Sequence, residues 1–206
     1  MIVIVDYGAG NLRSVLNGFE VIGHKPMVTD DPDKLAKASA IVLPGVGAFG
    51  DCMEAVRSKN LIEPLNELVL SHKIPYLGIC LGMQFLAEES LEKGRHKGLG
   101  WIRGRVELMV PNNGKFRIPH MGWNDVDYKR TCTLFNDLSD APVFYFVHSY
   151  HLVIDEDGGD VVTATCWHGL TVTAAVQKDN IFGVQFHPEK SQENGLKLLE
   201  NFVKTI

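Results

Sequence analysis

A cysteine between two glycines is the first feature of the sequence that could do chemistry. Cys80 lies in GICLG at 78–82, directly after the apolar run at 74–79. Where a strand passes into a helix, this arrangement forms a nucleophile elbow, in which the backbone turns sharply and exposes the reactive atom. The amino end of a helix also stabilises negative charge, which suits a thiolate nucleophile. A buried cysteine without a chemical role fits this short pattern as well, so a partner base must decide between the two.

A histidine and a carboxylate two residues apart could be that base and its orienting group. His187 and Glu189 lie on either side of Pro188. In an extended segment residues i and i+2 face the same way, so the carboxylate can orient the imidazole while the imidazole takes the thiol proton. A surface ion pair is the alternative interpretation. Because Cys80 and His187 each end a predicted strand, where open α/β sheets place their sites, we favour catalysis.

A third segment could stabilise an oxyanion. PGVG at 44–47 follows another predicted buried strand. Its glycines allow backbone N–H groups to point into a site, as an oxyanion hole requires. The candidate donors are the backbone N–H groups of Val46, Gly47 and Leu81. By itself, Pro-Gly after a strand usually indicates only a turn.

The elements that position these segments alternate between strand and helix in the first half of the chain. The predicted strands are residues 2–5, 27–29, 40–43 and 74–79. The predicted helices are residues 11–21, 51–58, 61–72 and 81–91. Strands that alternate with helices indicate a parallel sheet covered on both faces.

After Gly98 the pattern changes to strands and turns. Strands are predicted at 101–110, 143–154 and 181–186, a turn at 111–114, a hairpin between 161–167 and 171–176, and a closing helix at 192–204. The predicted fold class is therefore α/β, with a mostly parallel central sheet, helices on both faces and an antiparallel β extension in the second half.

Length and composition limit the alternatives. A chain of 206 residues suits one domain at 1–206, and 45% hydrophobic with 22% charged residues excludes a disordered or fibrous protein. The net charge of −5 argues against a nucleic-acid partner. The start of the chain lacks the basic region of a signal peptide, and no apolar stretch is long enough to span a membrane. Four widely spaced cysteines without a CxxC pair fit a reducing compartment, so we expect a cytoplasmic protein.

Two further patterns do not lead to a cofactor or metal site. Residues 8–13 begin like a dinucleotide-binding loop, but Arg13 stands where the third glycine is needed. His148 and His151 are three residues apart in a predicted strand and would point to opposite faces, which does not suit a shared metal. We expect neither a metal ion nor a cofactor.

Six motifs carry a resemblance to a known family. PGVG at 44–47, GICLGMQ at 78–84 and GVQFHPEKS at 183–191 resemble the triad-type, or class I, glutamine amidotransferases, in the family's order along the chain. DYGAGN at 6–11, PHMGWN at 119–124 and FVHSY at 146–150 resemble, within that family, the glutaminase subunits of imidazole glycerol phosphate synthases. The resemblance covers nearly the whole chain.

The resemblance implies a role for each matching residue. Cys80 would be the nucleophile, His187 the general base and acid, and Glu189 the orienting carboxylate. The residues that would hold glutamine are Gly47, Gln84, Glu92, Ser149 and Tyr150. The residues that would face a partner subunit are Asn11, Trp123, Tyr145 and Lys190.

The activity implied by the resemblance is hydrolysis of glutamine to glutamate and ammonia through a cysteine thioester. The ammonia would pass to a (β/α)8-barrel cyclase subunit of a heterodimer, which makes imidazole glycerol phosphate and an aminoimidazole carboxamide ribotide in histidine biosynthesis. A glutaminase subunit of another amidotransferase, such as pyridoxal phosphate or anthranilate synthase, or a free-standing γ-glutamyl hydrolase, is disfavoured by PHMGWN and HSY. A non-catalytic regulatory module of the same fold would usually have lost at least one of Cys80, His187 and Glu189.

Overall fold

The structure is a computed structural model that describes residues 1–111, 115–156 and 158–206. Its strands are β1 (Ile2–Val5), β2 (Met27–Thr29), β3 (Ala40–Gly45), β4 (Tyr76–Cys80), β5 (Glu89–Ser90), β6 (His96–Lys97), β7 (Gly104–Leu108), β8 (His120–Asp125), β9 (Asp127–Tyr128), β10 (Val143–His148), β11 (Tyr150–Ile154), β12 (Val162–Trp167), β13 (Thr171–Lys178) and β14 (Ile181–Val184). Its helices are α1 (Leu12–Val21), α2 (Pro32–Leu35), α3 (Phe49–Ser58), α4 (Ile62–Asn66), α5 (Leu81–Gln84) and α6 (Gln192–Val203). A π-helical turn at Glu67–Ser71 continues α4, and 3₁₀ turns cover Thr133–Phe135 and Pro188–Lys190.

The central sheet has eight strands in the order β2-β1-β3-β4-β14-β13-β12-β9. The first five pair in parallel, and β13, β12 and β9 extend the sheet in antiparallel pairing. Parallel strands end at the same edge, so β4 and β14, which pair up to Ile79 opposite Val184, end side by side. Cys80 and the segment after β14 are thereby brought to one edge of the sheet.

Both faces of the parallel part are covered by helices. In β1, Val3 and Val5 pack with α3 and α4 on one face, whereas Ile2 and Ile4 pack with α1 and α6 on the other. Because strands buried on both faces carry apolar residues at every position, they are found in the sequence as short continuous apolar runs. The predicted parallel sheet with helices on both faces is confirmed.

The second half of the chain adds three antiparallel elements. β12 and β13 form the predicted hairpin, with Trp167 opposite Thr171. β10 pairs with β8 in a two-stranded sheet, and β11 pairs with β7 in a four-stranded sheet that continues through β5 and β6. The predicted antiparallel extension is therefore confirmed as well.

The predicted helix at 81–91 is wrong beyond its first turn. Only Leu81–Gln84 is helical, because the backbone groups that a longer helix would use bond elsewhere. The carbonyls of Phe85 and Ala87 accept hydrogen bonds from the backbone of residues 99–100. A buried apolar loop has the same composition as a buried helix, so the apolar pattern did not separate them.

The strand predicted at 143–154 is two strands. The chain bends at Ser149, so β10 and β11 belong to different sheets. His148 and His151 therefore lie on separate strands and not on the single strand that the sequence predicts. No strand is predicted from the sequence at 120–125, where the structure has β8. The turn predicted at 111–114 lies, apart from Pro111, outside the described residues.

Candidate active site

The elbow at Cys80 depends on the two glycines beside it. Cys80 itself has a φ of +54°, a left-handed conformation that a residue with a side chain rarely adopts. A Cβ added at Gly82 would lie 1.8 Å from the carbonyl oxygen of Leu43, and one at Gly78 would lie 2.4 Å from the carbonyl oxygen of Gly82. Only glycine lets α5 pack this closely against β3 and β4, so the sharp turn after β4 follows from the sequence.

His187 and Glu189 form a buried pair after β14. The His187 Nδ1 and Glu189 Oε1 atoms are 2.8 Å apart, and each side chain is only 1% exposed. Ser191 fixes the turn between them and β10, since its hydroxyl donates to the His187 carbonyl and accepts from the Tyr145 N–H. The interpretation of His187 and Glu189 as a surface ion pair is therefore excluded, because the pair is buried.

The protonation of His187 is controlled by its two neighbours. Burial by itself would lower the pKa of His187, but the nearby Cys80 sulfur and the Glu189 carboxylate outweigh burial and raise this pKa to about 10. Nδ1 donates to the carboxylate, which leaves Nε2 for the thiol. Among the residues that the structure describes, Nε2 has no partner at ordinary hydrogen-bond distance. The arrangement can accept and hold a proton from Cys80.

A pocket of about 350 Å³ opens in front of Cys80, a volume suited to a small ligand. The residues that line it are Val46, Gly47, Cys80, Leu81, Gln84, Glu92, Val147, His148, Ser149 and Tyr150. All five residues proposed to hold glutamine and all three candidate oxyanion residues are among them. The structure thus brings these residues together, and their roles in binding stay predictions.

Backbone and side-chain contacts fix the walls of this pocket. The Glu92 carboxylate accepts a hydrogen bond of 2.7 Å from the Phe49 N–H at the start of α3. The Gln84 amide nitrogen donates to the Tyr150 carbonyl at 2.9 Å. Ser149 and Tyr150 reach the pocket because the chain bends between β10 and β11. Four separate segments, at 46–47, 80–84, 92 and 147–150, therefore supply the lining of one small cavity.

The candidate oxyanion loop, PGVG at 44–47, lies against α3. Gly47 has a φ of +116°, so a side chain at this position would be strained. The Cys52 thiol lies 3.6 Å from the Val46 carbonyl oxygen, to which it donates from beneath the loop. The Val46 side chain is 40% exposed at the mouth of the pocket. The Cys52 thiol of α3 thereby holds one side of the loop, and the other side of the loop lines the pocket.

Comparisons with known proteins agree with this geometry. The family model for class-I glutamine amidotransferase matches residues 3–206. The chain belongs to the class-I glutamine amidotransferase family. A protein of Syntrophotalea carbinolica named imidazole glycerol phosphate synthase subunit HisH is 50% identical, over 98% of this chain and 98% of that protein. The subunit of the same name from Salinibacter ruber is 47% identical, over 98% of this chain and 93% of that protein.

Solved structures support the fold of this amidotransferase. A crystal structure described as a glutamine amidotransferase superposes with a TM-score of 0.76 at 17% identity, covering 98% of this chain and 97% of that one. The PurLQS structure from Thermotoga maritima gives a TM-score of 0.75 at 22% identity, with coverage of 99% and 97%. At these identities the likeness shows the fold alone.

The sequence did not predict a role for Gln185, which lies beside Cys80, the predicted nucleophile. Gln185 is fully buried, and its amide nitrogen is 3.6 Å from the Cys80 sulfur. The Gln185 carbonyl oxygen accepts from the Gln84 amide at 3.0 Å. The signal was present in GVQFHPE, because Gln185 precedes His187 by two residues in an extended segment and so faces the same side.

The sequence also did not predict a buried pair of histidines, of which His148 lines the pocket. His120 Nδ1 and His148 Nε2 are 3.0 Å apart, and His148 Nδ1 is 2.9 Å from the Tyr150 carbonyl oxygen. Because a carbonyl only accepts, His148 carries its proton on Nδ1 and accepts from His120 on Nε2. His120 Nε2 in turn accepts from the Asn124 amide. Burial lowers the pKa of His120 to about 4 and that of His148 to about 3, so both rings are neutral at neutral pH.

Three of the four residues predicted to face a partner lie together. The Trp123 and Tyr145 rings meet edge to face with centroids 5.9 Å apart, and the Lys190 ammonium lies 5.8 Å from the centre of the Tyr145 ring. Asn11 stands at the start of α1, which packs against the turn that carries Lys190. Their contact with a partner stays a prediction.

Two observations concern membranes and metals. Within the described residues, no helix is both long enough and apolar enough to cross a membrane. In the same part of the chain, no three histidine, cysteine or acidic side chains are grouped so that they could hold a metal ion.

Proposed function

We propose that this chain is the glutaminase subunit of an imidazole glycerol phosphate synthase. It hydrolyses glutamine to glutamate and ammonia, and a separate (β/α)8-barrel cyclase subunit uses the ammonia to make imidazole glycerol phosphate and an aminoimidazole carboxamide ribotide. The observation that carries the glutaminase part is that Cys80, which lines a pocket large enough for glutamine, interacts with the buried pair of His187 and Glu189.

The reaction has two half-reactions that share one proton carrier. His187 Nε2 already holds the proton taken from the thiol when the reaction starts, and the Cys80 thiolate adds to the side-chain amide carbon of glutamine. Backbone N–H groups of Val46, Gly47 and Leu81 stabilise the oxyanion. The C–N bond breaks as His187 returns its proton to the leaving nitrogen, which departs as ammonia. A water molecule, activated by His187, then adds to the thioester, and the C–S bond breaks to release glutamate and the thiolate.

Polar groups in the walls of the pocket suit the amino-acid end of glutamine. The Glu92 carboxylate and the Gln84 carbonyl oxygen can pair with the α-ammonium group, because the Gln84 NH₂ already donates to Tyr150 and Gln185. Gly47, Ser149 and Tyr150 offer backbone groups to the α-carboxylate. This assignment follows the family resemblance and is supported by the shared position of the five residues around one cavity.

The identity of the partner rests on two supports. Relatives that are 47–50% identical over nearly the whole chain are named as subunits of imidazole glycerol phosphate synthase. Aromatic and cationic side chains meet on the outer side of the turn that holds the catalytic pair, at Trp123, Tyr145 and Lys190. We therefore propose that Asn11, Trp123, Tyr145 and Lys190 contact the cyclase subunit in a heterodimer.

The location and organisation of the protein form part of the same proposal. Cys52, Cys80, Cys132 and Cys166 are all buried free thiols, which supports a reducing compartment. We propose that residues 1–206 act as one domain in the cytoplasm, without a metal ion or cofactor.

The proposal is tested by changing the nitrogen source. Cys80→Ala in the complex with the cyclase subunit should abolish synthesis from glutamine, while synthesis from ammonium salt continues because the acceptor chemistry lies on the partner. Cys132→Ala is the matched control, since this buried thiol does not line the pocket, and it should retain both activities. Glutamine-dependent synthesis by the Cys80→Ala complex would contradict the assignment of the nucleophile.

A further inference from the structure

We propose that Gln185 is a positioning residue of the glutaminase, whose amide N–H holds the Cys80 sulfur in place and stabilises it as the thiolate. This inference rests on the proposed function in one respect, because Cys80 must be the nucleophile for its position to matter. It concerns a residue that lies outside the triad and outside the lining of the pocket.

The orientation of the Gln185 amide is fixed by a chain of hydrogen bonds that starts at a backbone carbonyl. The Tyr150 carbonyl can only accept, so the Gln84 side chain turns its NH₂ toward it. The same NH₂ donates to the Gln185 carbonyl oxygen at 3.0 Å. The Gln185 NH₂ is therefore the group left to face the Cys80 sulfur, at 3.6 Å. Reversing this amide would oppose two NH₂ groups at Gln84 and turn a carbonyl oxygen toward the sulfur.

Burial strengthens the contact between the Gln185 amide and the Cys80 sulfur. Gln185 is 0% exposed, and Cys80 is 6% exposed, so little water can replace a lost donor at the sulfur. A charge-assisted hydrogen bond in such surroundings contributes more than one between neutral groups at a surface. The backbone also holds Gln185 rigidly, because its N–H donates to the Ala174 carbonyl of the neighbouring strand.

Other ionisable groups near Cys80 come from several elements. The groups that act on the thiol or line its pocket are His187 and Glu189 after β14, Tyr7 after β1, Glu92 after β5, His148 in β10 and Tyr150 in β11. Only His187 among them can carry a positive charge at the sulfur, because burial holds His148 neutral. Gln185 adds a neutral donor to the same atom, and it does not compete for the proton.

The contact predicts a specific pattern in two variants. Gln185→Met keeps the length and removes the donor. Gln185→Glu keeps the shape and the acceptor for Gln84 but places a carboxylate oxygen against the sulfur. The apparent midpoint of the thiolate titration should rise by about one pH unit in the methionine variant and further in the glutamate variant. The turnover number should fall about tenfold or more in both variants. The KM for glutamine should change little in the glutamate variant, because that variant keeps the acceptor for Gln84.

The experiment follows alkylation of Cys80 by iodoacetamide in the full chain as a function of pH, read by mass spectrometry of the Cys80 peptide. Burial raises the pKa values of Cys52, Cys132 and Cys166, so these thiols do not obscure the signal at lower pH. Turnover of glutamine and of ammonium salt is measured in the complex with the cyclase subunit. Retained synthesis from ammonium salt shows that each variant folds and binds its partner.

Asn201→Leu is the matched control, because it removes a buried amide that donates to carbonyls of residues 134 and 136, away from the pocket. It should leave the alkylation midpoint unchanged. The proposal is supported if the alkylation midpoint rises in both Gln185 variants and rises further in the glutamate variant than in the methionine variant. An unchanged midpoint in both overturns it, even where turnover is lost, and leaves the triad assignment standing. Glutaminase activity in Cys80→Ala would instead remove the function on which the proposal rests.

Discussion

Two buried histidine sites, one beside Cys80 and one in the wall of its pocket, contain histidines with opposite protonation preferences. His187 is 1% exposed, and its pKa is raised to about 10. His148 is 7% exposed, and its pKa is lowered to about 3. Burial opposes the charged form in both cases, so burial does not explain the difference. The partners explain it, because His187 faces a carboxylate and a thiol whereas His148 faces a carbonyl and another imidazole.

This difference separates the histidine that we propose to be catalytic from the histidines that support the pocket. A ring held by a carboxylate can receive a proton and return it, as general acid–base catalysis requires. A neutral ring that donates to the Tyr150 carbonyl instead fixes the backbone of the pocket wall. The residue type is the same, and the acceptor beside it decides the role.

The largest effect should come from removing the charged pair. His187→Ala eliminates the proton carrier of both half-reactions and should lower glutamine turnover by about 10²–10⁴-fold. Glu189→Ala removes only the carboxylate that orients His187 and stabilises its positive charge, so the fall in glutamine turnover should be smaller. Steady-state turnover of glutamine in the complex measures both variants. Small and equal losses would make His187 and Glu189 a structural ion pair.

The neutral pair should matter much less for the chemical step. The glutamine side chain in His148→Gln can still donate to the Tyr150 carbonyl. The kcat/KM for glutamine at neutral pH should therefore fall by less than about tenfold, mainly because KM rises. Kinetics as a function of glutamine concentration separate the two parameters. A loss as large as that of His187→Ala, confined to the turnover number, would break the distinction between the two sites.

The two sites should also affect stability at opposite ends of the pH range. The pKa values of His120 and His148 are lowered to about 4 and about 3 in the native state. As the pH falls below about 6.5, these histidines therefore bind protons in the unfolded state but not yet in the native state. Each histidine then costs about 1.4 kcal/mol of stability per pH unit. The raised pKa of His187 has the opposite sign, since its contribution is complete below about pH 6.5 and is lost as the pH rises through about 10.

Chemical denaturation at several pH values tests these signs. His148→Gln should reduce the acid-side slope of the unfolding free energy by about 1.4 kcal/mol per pH unit, whatever its effect on stability at neutral pH. Glu189→Gln should reduce the loss of unfolding free energy that occurs as the pH rises toward about 10. An unchanged acid slope in His148→Gln would mean that His148 is charged in the native protein.

The smallest effect on stability is expected at Lys190, which borders the charged pair from outside. Lys190→Ala removes an exposed cation beside the Tyr145 ring and should change the unfolding free energy by less than about 1 kcal/mol. If Lys190 contacts the cyclase subunit, the same change should weaken the binding of that subunit and the coupling of the two activities. Binding titrations and paired assays with glutamine and ammonium salt would show an unchanged complex if Lys190 lies outside the interface.

The parts of the fold that the sequence predicts are those with a local cause. The strands β1 and β2 coincide with their apolar runs, and the elbow follows from steric conflicts that only Gly78 and Gly82 avoid. The helix predicted at 81–91 failed because the carbonyls after Gln84 bond to a segment that is distant in sequence. Long-range hydrogen bonds of this kind leave no periodic pattern.

The same limit applies to the candidate site. Cys80, His187 and Glu189 could be found because each lies in a short motif with its own chemistry. Gln185 could not be assigned in that way, since its importance depends on Gln84 and on the distance to Cys80. Likewise, no local signal in β8 reveals that His120 pairs with His148 across a two-stranded sheet.

Nitrogen-15 chemical shifts of the imidazole rings measure the charge difference between the two sites most directly. The chain has eight histidines, and the signals of His187 and His148 are identified by their loss in His187→Asn and His148→Gln. At neutral pH the full chain should show His187 protonated on both nitrogens, with His120 and His148 neutral and carrying a proton on Nδ1 only. A neutral His187 or a charged His148 at that pH would contradict the account.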